Sequence, residues 1–186
     1  MRTKKTWREK LADNKGLPKV GRIDGKMSTK WGTGTMVIPA PSEVDAVMRQ
    51  VPKGKLVTIN EIRALLASKH TVTIACPITT GIFAWIAAHA SAEAADEGAL
   101  RTTPYWRTLR SGGELSSKFP GGIAGVREKL ELEGHKVVRK GKRYFVEHFE
   151  RALCKPNHFE LGPTPDKMVL RPRAVRTARP EPRAQG

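Results

Sequence analysis

The spacing of apolar residues predicts three consecutive helices in the middle of the chain. The first starts at Ser42, a typical capping residue, and carries Val44, Val47, Met48 and Val51. The second starts at Thr58, where Glu61 three residues later completes a capping box, and carries Ile59, Ile62, Leu65 and Leu66. The third starts at Pro77, a residue favoured at the first helical position, and runs to about Ala90 with Ile78, Ile82, Phe83 and Ile86.

The second and third predicted helices are joined by a brief polar connection, which is typical of a helix-turn-helix. The third helix has a stripe of large apolar residues and another face of small ones: Thr79, Thr80, Ala84, Ala87 and Ala88. We expect the small face to approach DNA and the large residues to pack inward. An ordinary helical hairpin, whose second helix only packs, fits the same pattern.

Glycine-rich turns and a basic hairpin are predicted to complete the domain. Turns at 111–113 and 120–122 precede a helix from Ile123 to Glu133, which Gly134 ends. Two β-rich segments, 136–138 and 143–146, then flank Gly141. The predicted fold class is therefore mainly α with a small β hairpin, as a winged-helix-like helix-turn-helix domain over residues 42–150.

Basic extensions are predicted on both sides of this domain. Residues 1–41 mix Lys, Gly and Pro, and only Lys5 to Asp13 have a helical pattern, so we expect a flexible, poorly packed arm with Trp7 and Trp31 as possible anchors. Residues 151–186 are rich in proline and carry scattered arginines with little apolar content, which predicts a disordered basic tail.

The charge of the chain favours a polyanionic partner. The formal net charge is +16 and the sequence pI is about 10.3, which favours nucleic acid as a partner over a charge that serves solubility or loose membrane attraction. Together with the predicted helix-turn-helix, this charge makes double-stranded DNA the expected partner. No apolar run approaches the length of about 20 residues of a membrane span. We therefore expect a cytoplasmic, nucleoid-associated location. Cys76 and Cys154 lack the spacing of a metal site, so we expect free thiols and no bound metal. We also expect no cofactor.

Three segments between Ser42 and Val138 resemble one family. They are Val51-Pro52-Lys53-Gly54-Lys55-Leu56-Val57-Thr58, then Pro104-Tyr105-Trp106-Arg107, then Arg110-Ser111-Gly112-Gly113-Glu114-Leu115 running on to Phe119-Pro120-Gly121-Gly122. Their order and spacing resemble the C-terminal DNA-binding domain of methylated-DNA-protein-cysteine methyltransferases (alkylguanine DNA alkyltransferases). The resemblance extends to the alkyltransferase-like proteins, which lack the acceptor cysteine.

The resemblance implies a helix-turn-helix in the minor groove, a flipped alkylguanine, and alkyl transfer to the cysteine of a Pro-Cys-His-Arg motif. In this chain Tyr105 stands at the cysteine position and Trp106 at the histidine position, while Glu133 matches the family's glutamate. A phenol with an ordinary pKa near 10 and no neighbouring base is a poor nucleophile. We therefore expect no enzymatic activity and no catalytic residue.

The resemblance also assigns candidate binding residues. The residue that enters the base stack aligns with Thr80, and a phosphate-contacting tyrosine aligns with Ile59. The expected DNA-binding residues are Thr79, Thr80, Arg107, Arg110, Ser111 and Lys118, with the basic hairpin beside them. The expected base-pocket residues are Tyr105, Trp106, Phe119, Pro120 and Glu133. Alternatively, Arg107 braces the loop and the aromatic residues are core.

Three functional hypotheses remain open from the sequence. The first is a non-catalytic, monomeric protein of the alkyltransferase-like type that recognises alkylated or distorted bases and works with DNA repair proteins. The second is a repair enzyme with an unconventional acceptor. The third is an architectural or regulatory DNA-binding protein in which the basic tails supply most of the affinity.

Overall fold

The computed structural model describes residues 4–162, which contain six α-helices and seven short strands. The helices are α1 (Trp7–Ala12), α2 (Gly25–Trp31), α3 (Pro41–Arg49), α4 (Ile59–Lys69), α5 (Pro77–Asp96) and α6 (Gly122–Leu132). The strands are β1 (Lys19–Ile23), β2 (Gly34–Ile38), β3 (Val57–Thr58), β4 (Ile74–Ala75), β5 (Thr108–Leu109), β6 (Val137–Lys140) and β7 (Arg143–Val146). The predicted class, mainly α with a small hairpin, is confirmed.

Helix α5 lies at the centre of the structure and packs against α1, α3 and α4. Its inward face consists of small residues, and Ala84, Ala87 and Ala88 are all buried. Small side chains let neighbouring helix backbones approach closely, so the larger residues of α3 and α4 fill the space between them. The main core therefore combines small positions on α5 with large ones elsewhere: Val44, Met48, Ile62, Leu66, Leu109, Leu115 and Leu130.

This orientation of α5 is the reverse of the predicted one. The small face packs inward, whereas Ile78 is 54% exposed and Ile82 is 45% exposed. The prediction was wrong because α5 is apolar on nearly all sides, so periodicity alone does not identify the buried stripe.

Local signals place the helix starts. At α4, the Glu61 amide donates to Thr58 Oγ1 and the Thr58 amide donates to Glu61 Oε2 at 2.8 Å, which confirms the predicted capping box. Pro77 is the first residue of α5, also as predicted. The expectation that Ser42 caps α3 was wrong, because α3 begins one residue earlier at Pro41 and Glu43 accepts the Ala40 amide at 3.0 Å.

The N-terminal region is packed, contrary to the expectation of a poorly packed arm. Strands β1 and β2 pair antiparallel from Lys19 opposite Ile38 to Ile23 opposite Gly34. Strand β2 then pairs in parallel with β4, directly before α5. The sequence pattern missed this sheet because β1 is mostly exposed and β4 has only two residues.

Helix α1 is attached to α5 by aromatic and polar contacts. The Trp7 ring stacks on His89 with centroids 4.5 Å apart and meets Trp85 edge-on at 4.7 Å. The Glu93 carboxylate accepts the backbone amides of Trp7 and Arg8, at 3.3 and 2.8 Å. A carboxylate at a helix N-terminus accepts hydrogen bonds from the free amides and interacts favourably with the helix dipole. The proposed anchoring role of Trp7 therefore agrees with its position.

Residues 151–162 also pack against the domain, so the expectation of a tail disordered from residue 151 was wrong for this part. The Leu56 amide donates to the Ala152 carbonyl at 2.9 Å, and the Cys154 amide donates to the Leu56 carbonyl at 2.8 Å. Phe159 is buried in the main core. The rest of the predicted tail, residues 163–186, lies outside the described residues.

The predicted C-terminal hairpin forms and lies beside the glycine-rich loop. Strands β6 and β7 pair from Val137 opposite Val146 to Lys140 opposite Arg143. The Leu115 amide donates to the Tyr144 carbonyl at 2.8 Å, which attaches the loop to β7. The hairpin therefore supports the segment that carries Arg110 and Lys118.

Replacing Trp7 by alanine is expected to reduce the free energy of unfolding by about 1–3 kcal/mol. The substitution removes two aromatic contacts, each worth about 0.5–1.5 kcal/mol, together with buried ring area. Lys10→Ala is the control, because Lys10 only places its ammonium 3.9 Å from the Trp7 ring centroid. Urea denaturation followed by circular dichroism measures both, and equal stability of Trp7→Ala and wild type would contradict the docking of α1.

Candidate nucleic-acid interface

The first turns of α5 present an exposed face of Ile78, Gly81 and Ile82, with the partly exposed Trp85 one turn further along. Of the two expected DNA-contacting threonines, Thr79 is partly exposed and Thr80 is buried. Thr80 is fully buried, and its Oγ1 donates to the Cys76 carbonyl at 2.8 Å. Thr79 Oγ1 is also buried. The structure therefore replaces the predicted Thr79 and Thr80 surface by an isoleucine-bearing one.

A cavity of about 450 Å³ lies between this face of α5 and the loop that follows β5. Its volume falls in the range of small-molecule sites, about 300–1,000 Å³. The lining combines flat or apolar side chains with hydroxyls: Ile59, Ile78, Ile82, Trp85, Phe119, Ser111, Ser116 and Ser117. Such a cavity has room for one nucleobase, apolar surface to contact its face, and polar groups to contact its edge.

The cavity rim carries positive charge. Arg110 and Lys118 line the cavity and are exposed. The one acidic residue between positions 108 and 119, Glu114, is buried, and it accepts from Arg110 at 2.9 Å and lies 3.5 Å from Arg143. Because that carboxylate is shared between two arginines, the local charge remains positive. Of the predicted DNA-binding residues, Arg110, Ser111 and Lys118 are thus brought together.

A third cation, Arg63, lies near the start of α5. Arg63, on α4, donates from Nε to the Ala75 carbonyl at 3.1 Å and lies near Asn60. The sequence analysis did not select Arg63. The packing of α4 beside β4 places Arg63 there. Nothing in its local sequence distinguishes it from a solvated helix residue.

The loop on the far side of the cavity is attached to α5. His89 Nε2 lies 3.1 Å from the Lys118 carbonyl oxygen. Since a carbonyl only accepts, Nε2 must carry the proton in this contact. His89 is also the residue on which Trp7 stacks, so one side chain contacts both α1 and the rim of the cavity.

Tyr105 lies in the core and does not line the cavity. It is 6% exposed, and its hydroxyl donates to the Pro120 carbonyl over a long 3.4 Å. Its ring meets Trp106 and Phe119 edge-on, with centroids 5.4 and 5.9 Å away. Burial, with a smaller contribution from the charge of Asp96, raises the pKa of Tyr105. Of the predicted base-pocket residues, Phe119 lines the cavity, while Tyr105 packs behind it.

Trp106, Arg107 and Glu133 form a separate, partly buried cluster. The Arg107 guanidinium donates from Nε and a terminal nitrogen to the Glu133 carboxylate, at 2.8–3.0 Å, and from the other terminal nitrogen to the Val51 carbonyl at 2.6 Å. Trp106 Nε1 and the Gly54 amide donate to the same carboxylate at 2.8 and 3.1 Å. Arg107 is therefore the bracing residue of the alternative hypothesis.

The Glu133 carboxylate remains charged in this cluster. Burial by itself raises its pKa, but the hydrogen bonds from Arg107, Gly54 and Trp106 outweigh burial and hold the pKa below its ordinary value. Trp106 thus occupies the histidine position of the resemblance as a hydrogen-bond donor to Glu133. Neither Trp106 nor Glu133 lines the cavity beside α5.

The two cysteines are free, buried and away from the lining of the cavity. Burial raises the pKa of the Cys154 thiol, although Lys55 and Arg107 partly oppose that rise. A raised pKa lowers the thiolate fraction, and the thiolate is the nucleophilic form. The Cys154 thiol is therefore a poor alkyl acceptor, and neither cysteine lines the cavity.

Among residues 4–162, no cluster of three or more His, Cys, Asp or Glu side chains has an arrangement that would hold a metal ion. Within the same residues, no helix combines the length and apolar content of a membrane span.

Comparisons with known proteins give two structural likenesses and no sequence family. No protein-family model matches the chain, and no curated protein is similar to it in sequence. A crystal structure of S. pombe Atl1 with damaged DNA containing O6-carboxymethylguanine is 19% identical with a TM-score of 0.41. A structure of S. pombe ATL with DNA is 18% identical with a TM-score of 0.42. Each likeness covers 62% of this chain and 94% of the other.

Replacing Glu133 by glutamine is expected to reduce the free energy of unfolding by about 1–3 kcal/mol at pH 7, because it removes the charged acceptor of several hydrogen bonds and leaves the partly buried Arg107 without its counter-ion. A carboxyl group whose pKa is lower in the folded protein than in the unfolded chain contributes stability at pH values above its unfolded-state pKa. That contribution is lost as the pH falls through the folded-state pKa. The difference between Glu133→Gln and wild type should therefore shrink as pH falls below about 4.

The matched control is Glu131→Gln, because Glu131 forms an exposed pair with Arg127 on the same helix. Exposed pairs contribute about 0–1 kcal/mol, so this variant should stay close to wild type. Denaturant titrations between pH 3 and pH 7 measure both variants. Equal effects of the two substitutions would refute the bracing role of Glu133.

Proposed function

We propose that this protein binds double-stranded DNA without catalysing a reaction, and that it uses the cavity beside α5 to receive an altered base. The observation that carries this proposal is the cavity itself, which joins an exposed helix face to a cationic rim. An apolar, hydroxyl-bearing cavity fits a base, and the cations beside it fit the phosphates that flank that base.

Charge supports duplex DNA as the partner. The chain carries 34 Lys and Arg residues against 18 Asp and Glu residues. Around the cavity, Arg110 and Lys118 are exposed, and the neighbouring hairpin carries Arg139, Lys140, Lys142 and Arg143. Cations of this kind contact phosphates and supply affinity largely independent of sequence. A nucleoid-associated location and action beside DNA repair proteins are parts of the same proposal.

The absence of suitable nucleophiles near the cavity supports a binding role. Tyr105, which stands at the acceptor position of the resemblance, has a buried hydroxyl and a raised pKa. Trp106 carries no base, and Glu133 is committed to Arg107. The serine hydroxyls that line the cavity have no histidine among the residues lining it. Binding without alkyl transfer is therefore the function that these residues support best.

Replacing both Arg110 and Lys118 by alanine is expected to weaken binding to any duplex and to reduce its salt dependence. Each lost phosphate contact lowers the slope of log affinity against log salt by about one, so the double variant should lose about two. Fluorescence anisotropy of a short labelled duplex across a salt series measures this change. Glu114 keeps Arg143 as a partner in the variant, which protects the fold.

The control pair is Arg101→Ala with Lys129→Ala, which removes two cations from the Trp106 side of the molecule. This double variant should retain the wild-type slope within about half a unit. If both double variants changed the slope equally, binding would be diffuse and the α5 interface would be wrong.

Wild type is expected to prefer a duplex that contains one O6-alkylguanine. Each methylene buried against Ile59 and Phe119 contributes about 0.8 kcal/mol, which corresponds to roughly a fourfold preference for a methyl group and more for longer chains. Ser117→Trp should remove the preference because its ring would occupy the cavity mouth. Competition anisotropy with alkylated and unmodified duplexes measures the ratio.

Ser68→Trp is the matched control, since Ser68 is an exposed residue at the far end of α4 and does not line the cavity. A preference that persists in Ser117→Trp would exclude this cavity as the base site. Intact-mass analysis of the same mixtures tests the non-catalytic part of the proposal. A stoichiometric alkyl mass gain on the protein would overturn it.

A further inference from the structure

Helix α2 and the end of β1 are attached to the start of α5. Ile23 of β1, Met36 of β2 and Cys76, the residue before α5, form a small second core. Trp31, at the end of α2, packs against this core. The Cys76 amide also donates to the Val37 carbonyl at 2.9 Å, which continues the pairing of β2 with β4. The N-terminal sheet and α2 are therefore held beside the first turn of α5.

Two lysines lie on the exposed face of α2. Lys26 and Lys30 are four residues apart, so they are neighbours on one side of the helix. Both are exposed, whereas Ser28 and Trp31 on the other side are half-buried. Among residues 4–162, neither lysine forms an ion pair. Their ammonium groups are therefore free to bind an anion.

The charge around α5 differs between its two ends. Near its first residues lie the lysines of α2 and Arg63, and the cavity that the first turns border carries Arg110 and Lys118. Residues 77–100 contain no Lys or Arg, and their three acidic residues lie in the last turn of α5 or directly after it: Glu93, Asp96 and Glu97. The helix has 20 residues and is therefore about 30 Å long. A polyanion is accordingly attracted to the start of α5 and repelled from its end.

The lysines of α2 are a set of cations separate from the cavity rim. No residue of the N-terminal sheet or of α2 lines the cavity. One partner that binds both sets must carry several anionic groups spaced along its length. Duplex DNA meets this requirement, because its two strands carry one negative charge per about 1.7 Å of helix axis. A small ligand with a single phosphate or carboxylate group does not meet it.

We propose that Lys26 and Lys30 form a second phosphate-binding region, which extends the nucleic-acid interface of this protein beyond the cavity and its rim. The inference rests on the proposed DNA-binding function and adds an element of the N-terminal region to that interface. Phosphate contacts supply affinity without reading bases. The two lysines therefore strengthen binding to alkylated and unmodified duplexes by the same factor.

The test is the salt dependence of duplex binding by the full-length protein with Lys26→Ala and Lys30→Ala. The slope of log affinity against log salt should fall by about two, because two phosphate contacts are lost. The ratio of affinities for alkylated and unmodified duplexes should stay at the wild-type value. Fluorescence anisotropy measures both quantities, and circular dichroism melting curves establish that each variant is folded.

Two matched variants separate charge from position. Lys26→Arg with Lys30→Arg should keep the wild-type slope, because arginine retains the charge. Arg101→Ala with Lys129→Ala removes the same charge from the Trp106 side of the molecule and should also keep that slope. Adding Arg110→Ala and Lys118→Ala to the α2 alanine variant should lower the slope by about four in total, because contacts at separate sites add.

The outcomes distinguish the α2 region from the proposed function. An α2 alanine variant with the wild-type slope, or one that changed the slope no more than the Arg101 and Lys129 variant, would refute the second region while DNA binding stood. An unchanged slope together with lost binding to a labelled polyglutamate peptide would assign the lysines to an acidic protein and would also refute it. If wild type bound no duplex, the proposed function itself would fail.

Discussion

The buried carboxylate of Glu133 holds together the half of the molecule that positions the candidate site. It accepts from Arg107, from Trp106 and from the Gly54 amide, so it joins the end of α6 to the 105–107 turn and to the turn before β3. A buried charge is tolerated only when its partners are in place. The three segments therefore depend on one another for their positions. Strand β5 and the cavity loop follow directly after the 105–107 turn.

The residues at the positions that the family resemblance associates with chemistry have structural roles in this protein. The Tyr105 ring packs edge-on against Phe119 in the core, while Trp106 donates a hydrogen bond to Glu133. Arg107 closes the cluster by binding Val51 as well. These side chains therefore stabilise the scaffold that supports the cavity loop.

The sequence predicted those features that have strong local signals. Thr58 with Glu61, Pro77, Gly134 and the turn at Gly141 each mark a boundary through a local hydrogen bond or backbone conformation. The sequence also predicts Arg110, Ser111, Lys118 and Phe119 as site residues, and the structure brings them to one cavity.

The wrong predictions share a physical cause, because each concerns a feature that depends on residues far away in the sequence. The inward face of α5 depends on α3 and α4, because a helix that is apolar all round has no preferred side of its own. Strands β1 and β2 exist through pairing with each other and with β4. Arg107 was predicted to contact DNA, but Glu133, 26 residues further along the chain, binds its guanidinium.

The stacking of Trp7 on His89 has a thermodynamic consequence for the whole N-terminal region. His89 also contacts the Lys118 carbonyl, and Trp85 both touches Trp7 and lines the cavity. Any molecule whose entry into the cavity strengthens the attachment of α1 must itself bind more tightly, by the same free energy, when α1 is attached, since linkage between two sites is reciprocal. The first helix of the chain would thus act as a reporter of occupancy, because amide exchange in α1 would slow when the cavity fills.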